Sequence, residues 1–271
     1  MIEVLVLGAT GTTGSRVAAG LMEAAATVRA ATRTPRTPGQ VRFDWTEPAG
    51  HTAALQGVDA VFLVAPIGEA DPVPLVEPFL AEALRLGVRR VVLLGSSAVP
   101  EGGPALGELH ALVHNMIPEW TVLRPSWFMQ NFTGAHPVAQ GVRAGEIVTA
   151  TGDGRVGFVD ADDIATVAVR ALTDPTPHNT EHLITGPEAL NYADAAAIIT
   201  EITHRPVRHR AVDPTELVAR LSGIPMEFAE ILAALDASIA AGAEDRVTDT
   251  VPRLTGSPAR SFRAFADKEM R

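Results

Sequence analysis

Gly8-Ala-Thr-Gly11-Thr-Thr-Gly14 places three glycines three residues apart, a spacing that suits a pyrophosphate. Gly8 permits a tight turn, Gly11 lets an anion approach the backbone, and Gly14 lets a following helix pack on the preceding strand. A helix opening here offers free N–H groups, and Thr10, Thr12 and Thr13 add hydroxyl donors. Selectivity for NAD usually rests on an acid near the end of the second strand, yet no carboxylate lies between Glu23 and Asp44. Arg29, Arg33, Arg36 and Arg42 fall in that window instead. In a chain of net charge −10, this local cluster points to the 2′-phosphate of NADP(H), with Arg33 as first choice. Asp44 is placed either to reach the adenine edge or to hold a surface turn.

Other chemistry is bounded by what is missing. Tyr192 is the only tyrosine and Lys268 the only lysine, which removes a Tyr-x-x-x-Lys pair and a P-loop lysine. With zero cysteines there is no thiol nucleophile, disulfide, iron–sulfur cluster or cysteine zinc site. His110 and His114 stand four apart on one face of an expected helix, as a proton donor near neutral pH or as packed and solvated histidines. Their segment, HALVH, lacks the glutamate of a zinc helix and has no third ligand, so no metal is expected. Ser96, in Gly95-Ser-Ser-Ala-Val, lacks the second glycine of a nucleophile elbow. Trp127, Phe128, Met129 and Phe132 follow a strand end, where open α/β sheets bind ligands. They form either a flat apolar substrate pocket or a core cluster. Met226, Phe228 and Ile231 would close that pocket or form a buried stripe of their helix.

These groups need a scaffold, and the chain alternates short apolar runs with alanine-rich helical stretches, the rhythm of a parallel sheet covered by helices. Strands are expected at 2–7, 27–32, 41–43, 60–65, 90–95, 121–123 and 182–184. Helices are expected at 13–25, 74–86, 108–116 and 162–172. Residues 134–158, with six glycines and little periodicity, read as a long crossover or lid. From about Gly186 the pattern is helices alone, at 192–203, 214–221 and 225–241, with a tail ending at 261–265. The expected fold is therefore α/β: a Rossmann-like doubly wound parallel sheet over 1–185, then a smaller, mostly helical substrate-binding region over 186–271.

Composition agrees with a globular chain of ordinary kind. Of 271 residues, 46% are hydrophobic and 20% charged, and no apolar run reaches a membrane-spanning length. The excess of acid disfavours nucleic acid as a partner. The amino-terminal run lacks a basic region before its apolar residues and leads straight into the glycine motif, so no signal peptide is read and a cytoplasmic location is expected.

Several segments together resemble the NmrA-like atypical short-chain dehydrogenase/reductases: GATGTTG, Thr32-Arg33, Phe43-Asp44-Trp45, Gly57-Val58-Asp59, Gly95-Ser96-Ser97 and the run WTVLRPSWFMQNF over 120–132. The 120–132 run, ITGPEAL over 184–190 and TGSPARSF over 255–262 look most like bacterial relatives of ergot-alkaloid iminium reductases and quinone reductases. The resemblance implies NADP(H) binding and places the nicotinamide near Ala65, Pro66, Ser96 and the 125–128 segment, Pro125 included. It also exposes a departure, because Gly102 and Leu106 occupy the family positions of the catalytic tyrosine and lysine. The expected activity is NADPH-dependent reduction of a small flat electrophile, a cyclic imine or iminium, quinone or enone, without that proton relay. His110, Trp127 and Phe128 are the expected catalytic residues. The alternative is an NADP(H)-sensing regulatory protein without turnover.

Overall fold

Short apolar runs bounded by glycine or proline form the strands, and stretches with apolar residues three and four apart form the helices. The structure, a computed structural model, describes residues 2–66, 68–221, 223 and 225–271. In chain order its elements are β1 (Glu3–Val6), α1 (Thr12–Glu23), β2 (Thr27–Thr32), β3 (Gln40–Arg42), α2 (His51–Leu55), β4 (Ala60–Val64), α3 (Val73–Arg85), β5 (Arg90–Leu94), α4 (Leu106–Met116) and β6 (Glu119–Pro125). They continue with α5 (Pro137–Ala144), β7 (Glu146–Thr149), α6 (Ala161–Thr173), β8 (Thr180–Ile184), α7 (Tyr192–Thr203), β9 (Arg208–Ala211), α8 (Pro214–Arg220), α9 (Met226–Ala240), α10 (Thr250–Thr255) and α11 (Phe262–Glu269). Two units divide the chain. The first takes Met1–Pro125, Ala161–Ile184 and Arg253–Gly256, and the second takes Ser126–Asp160, Thr185–Pro252 and Ser257–Arg271.

The first unit is built on a seven-stranded parallel sheet in the order β3-β2-β1-β4-β5-β6-β8. Helices cover a parallel sheet on both faces, so its central strands carry apolar side chains at every position, as in the Val4-Leu5-Val6 and Val61-Phe62-Leu63 runs, which are fully buried. Leu5, Leu63 and Leu93 of the sheet share a core with Phe79 and Leu80 of α3 and Leu109 and Val113 of α4. Each such side chain contributes about 1.5–3 kcal/mol on burial. The strand order reverses at β1, with β2 on one side and β4 on the other, which makes the crevice beyond β1 the ligand end of the sheet. Helix α1 starts there, buries Gly14, Val17, Ala18 and Leu21, and is tied to α6 by Arg16 Nε donating to Asp162 (2.6 Å).

The second unit has an aromatic core of Phe132, Phe158, Tyr192, Phe262 and Phe265 with Met129 and Ile199. Two sequence expectations change here. Residues 134–158, expected in the first domain as a crossover or lid, contain α5 and β7 and fall with the second unit, which takes 126–160, gives way to the first unit at Ala161 and resumes at Thr185, one residue before the expected boundary at 186. The annex is also not helices alone, because β9 pairs in parallel with β7. Arg208-His209-Arg210-Ala211 is an edge strand with little buried surface, so it carries no apolar run by which a sequence reading finds strands.

Candidate functional site

The glycine turn forms at the carboxyl end of β1. Gly8 sits at φ +63, in the left-handed region, and its carbonyl accepts from the Gly11 N–H (2.8 Å). A Cβ on Gly14 would lie 2.2 Å from that same carbonyl oxygen, so only glycine lets α1 start this close to the turn. Gly11 is the N-cap of α1 and supplies no side-chain cap, leaving the first-turn N–H groups to an incoming anion. Of the three threonines, Thr10 and Thr12 are exposed while Thr13 is buried at 4%, which leaves Thr10 and Thr12 as the accessible hydroxyls. These features fit a dinucleotide pyrophosphate.

The four arginines separate into two kinds. Arg29 donates to the carbonyls of Ala54 (3.1 Å) and Gln56 (2.8 Å) and pairs with Glu3. Arg42 is taken by Glu47 (2.7 Å). Arg33 and Arg36 are exposed and form no salt bridge among the described residues, so the 2′-phosphate candidates narrow to these two. Asp44 accepts from the N–H (2.9 Å) and hydroxyl (2.8 Å) of Thr46, and these bonds, with a smaller effect of the Arg33 and Arg42 charges, hold its carboxyl below the usual range. Its carbonyl bonds His51 Nε2 (3.0 Å), whose ring stacks on Phe43 at 4.8 Å. Asp44 is thus held in a turn, and His51, which no sequence pattern marks, braces it.

Ala65 and Pro66 follow β4, Ser96 follows β5 and Pro125 ends β6. The register of Val64 with Leu94 and of Leu94 with Leu123 brings them to one edge of the sheet. The Ser97 N–H donates to the Pro125 carbonyl (2.9 Å), joining two of these strand ends. His110 lies below that edge on α4. It is 2% exposed, with Nδ1 3.7 Å from Glu181, Nε2 4.0 Å from Glu101 and its ring 6.1 Å from Trp120. Burial lowers its pKa, against the pull of the two carboxylates. A ring this enclosed acts on its neighbours and is not presented to solvent as an acid. His114 is exposed, bonds Glu101 through Nδ1 (2.8 Å) and lies against Trp120 with ring centres 4.3 Å apart and planes tilted by 32°.

Gly102 sits at φ +76, a backbone conformation that side chains rarely adopt, and Leu106 opens α4. Tyr192 is on α7 inside the aromatic core, where burial drives its pKa up, and Lys268 is an exposed residue of α11 beside Glu269 (3.6 Å). Among the described residues no cluster of histidine and carboxylate groups could hold a metal ion, and no helix is long and apolar enough to cross a membrane.

The aromatic segment divides as well. Met129 and Phe132 are core residues, whereas Trp127 and Phe128 are half-buried. The backbone there is pinned by the Met129 N–H to the Val159 carbonyl and the Val159 N–H to the Trp127 carbonyl, both 2.9 Å. Gln130 Nε2 donates to the fully buried Asp160 (3.0 Å), which also receives Arg260 (2.6 Å). Nothing in sequence pointed to that pair, whose members stand 100 residues apart. Met226, Phe228 and Ile231 are 72%, 50% and 55% exposed, so they are not a buried stripe.

The sequence profile of an NAD(P)H-binding family matches residues 8–175. Over 97% of its length the chain is 48% identical to the "Uncharacterized oxidoreductase YesF" of Bacillus subtilis (strain 168), covering 93% of that protein. It is 38% identical to an agroclavine dehydrogenase of Claviceps fusiformis, covering 97% of this chain and 96% of the relative. Among solved structures, an NADPH-dependent quinone oxidoreductase of Escherichia coli in complex with NADPH superposes with a TM-score of 0.83 over the whole of both chains at 23% identity, a likeness of fold.

Proposed function

This chain belongs to the NAD(P)H-binding family, and we propose that within it the protein is an NmrA-like atypical reductase that reduces a small flat electrophile with NADPH. The preferred acceptors are a cyclic iminium or a quinone. The observation that carries this reading is Gly102, a left-handed glycine at the family position of the catalytic tyrosine, in a chain whose one tyrosine is buried on α7. An acceptor that needs a strong proton donor is poorly served. An iminium becomes a neutral amine on gaining hydride, and a quinone gives a resonance-stabilised anion that water protonates.

NADPH, when bound, supplies the hydride. The glycine turn and the open start of α1 hold the pyrophosphate, and Arg33 with Arg36 meets the 2′-phosphate. Trp127 and Phe128 offer apolar faces that orient the acceptor, so catalysis consists mainly of positioning. The name of one relative, agroclavine dehydrogenase, and the resemblance of the 120–132 run to ergot-alkaloid iminium reductases support an imine-type acceptor.

The test is acceptor-dependent loss of NADPH absorbance with a cyclic iminium and a quinone. Trp127→Ala and Phe128→Ala should each cost more iminium reduction than His110→Ala. If His110→Ala abolishes that reaction while the aromatic variants stay active, the donor-free mechanism is wrong.

A further inference from the structure

Arg124 of β6 reaches both neighbouring strands of the first unit. Its Nε donates to the Ser96 carbonyl (3.2 Å) and its Nη2 to the Ser97 carbonyl (3.0 Å), just beyond β5. Its Nη1 donates to both carboxylate oxygens of Glu181 on β8, each at 2.9 Å. The same turn is fastened from its other side by the Gly95 N–H on the Leu123 carbonyl (2.7 Å) and the Ser97 N–H on the Pro125 carbonyl (2.9 Å). Two carbonyls just past the end of a strand are therefore turned onto one guanidinium, the Ser96 carbonyl also accepting from the Val99 N–H (3.3 Å). That side chain is only 13% exposed, and a charge so enclosed is tolerated when its donors are used and a counter-charge is present. Glu181 is the counter-charge. His110 closes the back of the cluster, with its buried Nδ1 lacking a hydrogen-bond partner 3.7 Å from Glu181, and Glu101 beyond it is held by His114.

We propose that Arg124 is a positioning residue for the nicotinamide: it fixes the Ser96–Ser97 backbone at the strand end where the ring would bind, with Glu181 balancing its charge. This deepens the reading above and rests on it together with the placement of the nicotinamide near Ser96 that the family resemblance implies. The arrangement needs a planar fork, because three nitrogens serve two carbonyls and a carboxylate in different directions. A lysine ammonium is a point charge on a flexible stem and cannot reproduce it. His110 then has a role without touching substrate, as the neutral group that fills the space behind Glu181.

Two measurements on purified Arg124→Lys and Glu181→Gln separate positioning from mere support. The first, fluorescence of the bound nicotinamide in the NADPH complex, needs no acceptor; the second is the single-turnover rate of hydride transfer to a cyclic iminium. Arg124→Lys should keep NADPH affinity within about threefold, since the phosphate contacts lie elsewhere. It should change the bound-ring emission and slow transfer on the order of 10–100-fold, the scale of a 1 Å misplacement. Glu181→Gln should give the same changes at smaller size. A purely structural role would lower Tm while leaving emission and rate per bound NADPH as in the wild type, and that outcome overturns the proposal. If Arg124→Lys does not fold, the emission of Glu181→Gln decides by the same criterion. Should the wild type bind NADPH but transfer no hydride, the reductase reading fails, while the emission comparison still decides the role of Arg124.

Discussion

Helix α1 in the first unit begins at Gly11 with no side-chain cap, whereas α7 in the second begins with a closed capping box. There the Asp194 N–H donates to the Asn191 side chain (2.7 Å) and the Asn191 N–H to the Asp194 carboxylate (3.1 Å). The contrast runs through both units. At its ligand end the first leaves backbone N–H groups and the guanidinium groups of Arg33 and Arg36 turned outward. The second engages its enclosed charges internally: Asp160 with Arg260, Glu244 with Arg246 (2.9 Å), and Asp236 accepting from the Ala150 N–H (2.8 Å). A helix end that satisfies itself is stable and inert, while one left open gains most when an anion arrives. The first unit is therefore the one whose polar groups should answer to ligand, and the second the one whose polar groups should answer to disruption.

The largest effect belongs to the second unit. Asp160 has no exposed surface and receives both Arg260 and Gln130. Removing one member of a buried pair costs about 3–5 kcal/mol, and the 29% exposure of Arg260 puts Asp160→Ala near the lower end. Urea unfolding measures it, and a loss below about 1 kcal/mol would mean that this unit does not depend on its internal charge pairs.

Acid should separate the units next. His182 of β8 is 5% exposed, and burial, with the neighbouring His178 (2.8 Å) and the charge of Arg253, lowers its pKa from 6.5 to about 4. His178 is itself backed by Asp174 (3.1 Å). The unfolded chain then binds the proton more tightly, so stability is present above pH 6.5 and is lost as pH falls toward 4, by about 3 kcal/mol at most. Asp236 in the second unit has the opposite sign. Burial raises its carboxyl from 3.8 to about 6, so its contribution is greatest below pH 3.8 and is lost as pH rises through 6. Hydrogen exchange resolved by unit, at pH 7 and pH 5, should show β8 losing protection through His182 and α9 gaining it through Asp236. His182→Gln should flatten the first slope and Asp236→Asn the second. A common slope for both would erase the distinction.

In the first unit a ligand-facing group should be removable without harm to the fold. Arg33→Ala is expected to weaken NADPH binding by about 1.5–3 kcal/mol, the range for hydrogen bonds to a charged group, with NADH binding and Tm nearly unchanged. Equal losses for both cofactors would remove Arg33 from the 2′-phosphate site and leave Arg36 as the candidate.

The same contrast explains what could be read before the fold was known. The dinucleotide turn is made of backbone, and backbone geometry writes itself as glycines at fixed spacing: Gly8 for its left-handed φ, Gly14 for the carbonyl its Cβ would strike. Parallel strands buried on both faces announce themselves as apolar runs, which is why β1, β4 and β5 were legible to within a residue or two. Arg124 with Ser96, Ser97 and Glu181 was not legible, because its partners lie 27 to 57 residues away and arginine carries no mark of what it will meet. Strand β9 was hidden for another reason. An exposed edge strand has no core face to pattern it, and the charge of Arg208 and Arg210 is met by Glu146 and Glu216 at its surface. Trp127 and Phe128 could not be told from Met129 and Phe132 by composition, since all four are apolar and only tertiary packing sorts wall from core.

The smallest expected effect tests the comparison at its origin, the two helix starts. Asn191→Ala removes the cap of α7 and should cost about 1 kcal/mol in stability with no change in NADPH affinity. Gly11→Asp asks the reverse question. Gly11 lies at φ −87 and ψ 177, an extended conformation open to any residue and the usual one for a capping aspartate. A Cβ there would stand 3.2 Å from the Gly8 carbonyl, close enough to cost part of what the new cap contributes. Since a capping side chain improves on glycine by only a few tenths of a kcal/mol, the variant's stability should stay within about 0.5 kcal/mol of the parent. Its carboxylate, however, occupies the donors that the pyrophosphate needs and repels it. NADPH binding should therefore disappear from a protein whose unfolding curve is almost unmoved. Calorimetry showing that Gly11→Asp still binds NADPH with parental affinity would mean that the open start of α1 is not the phosphate site.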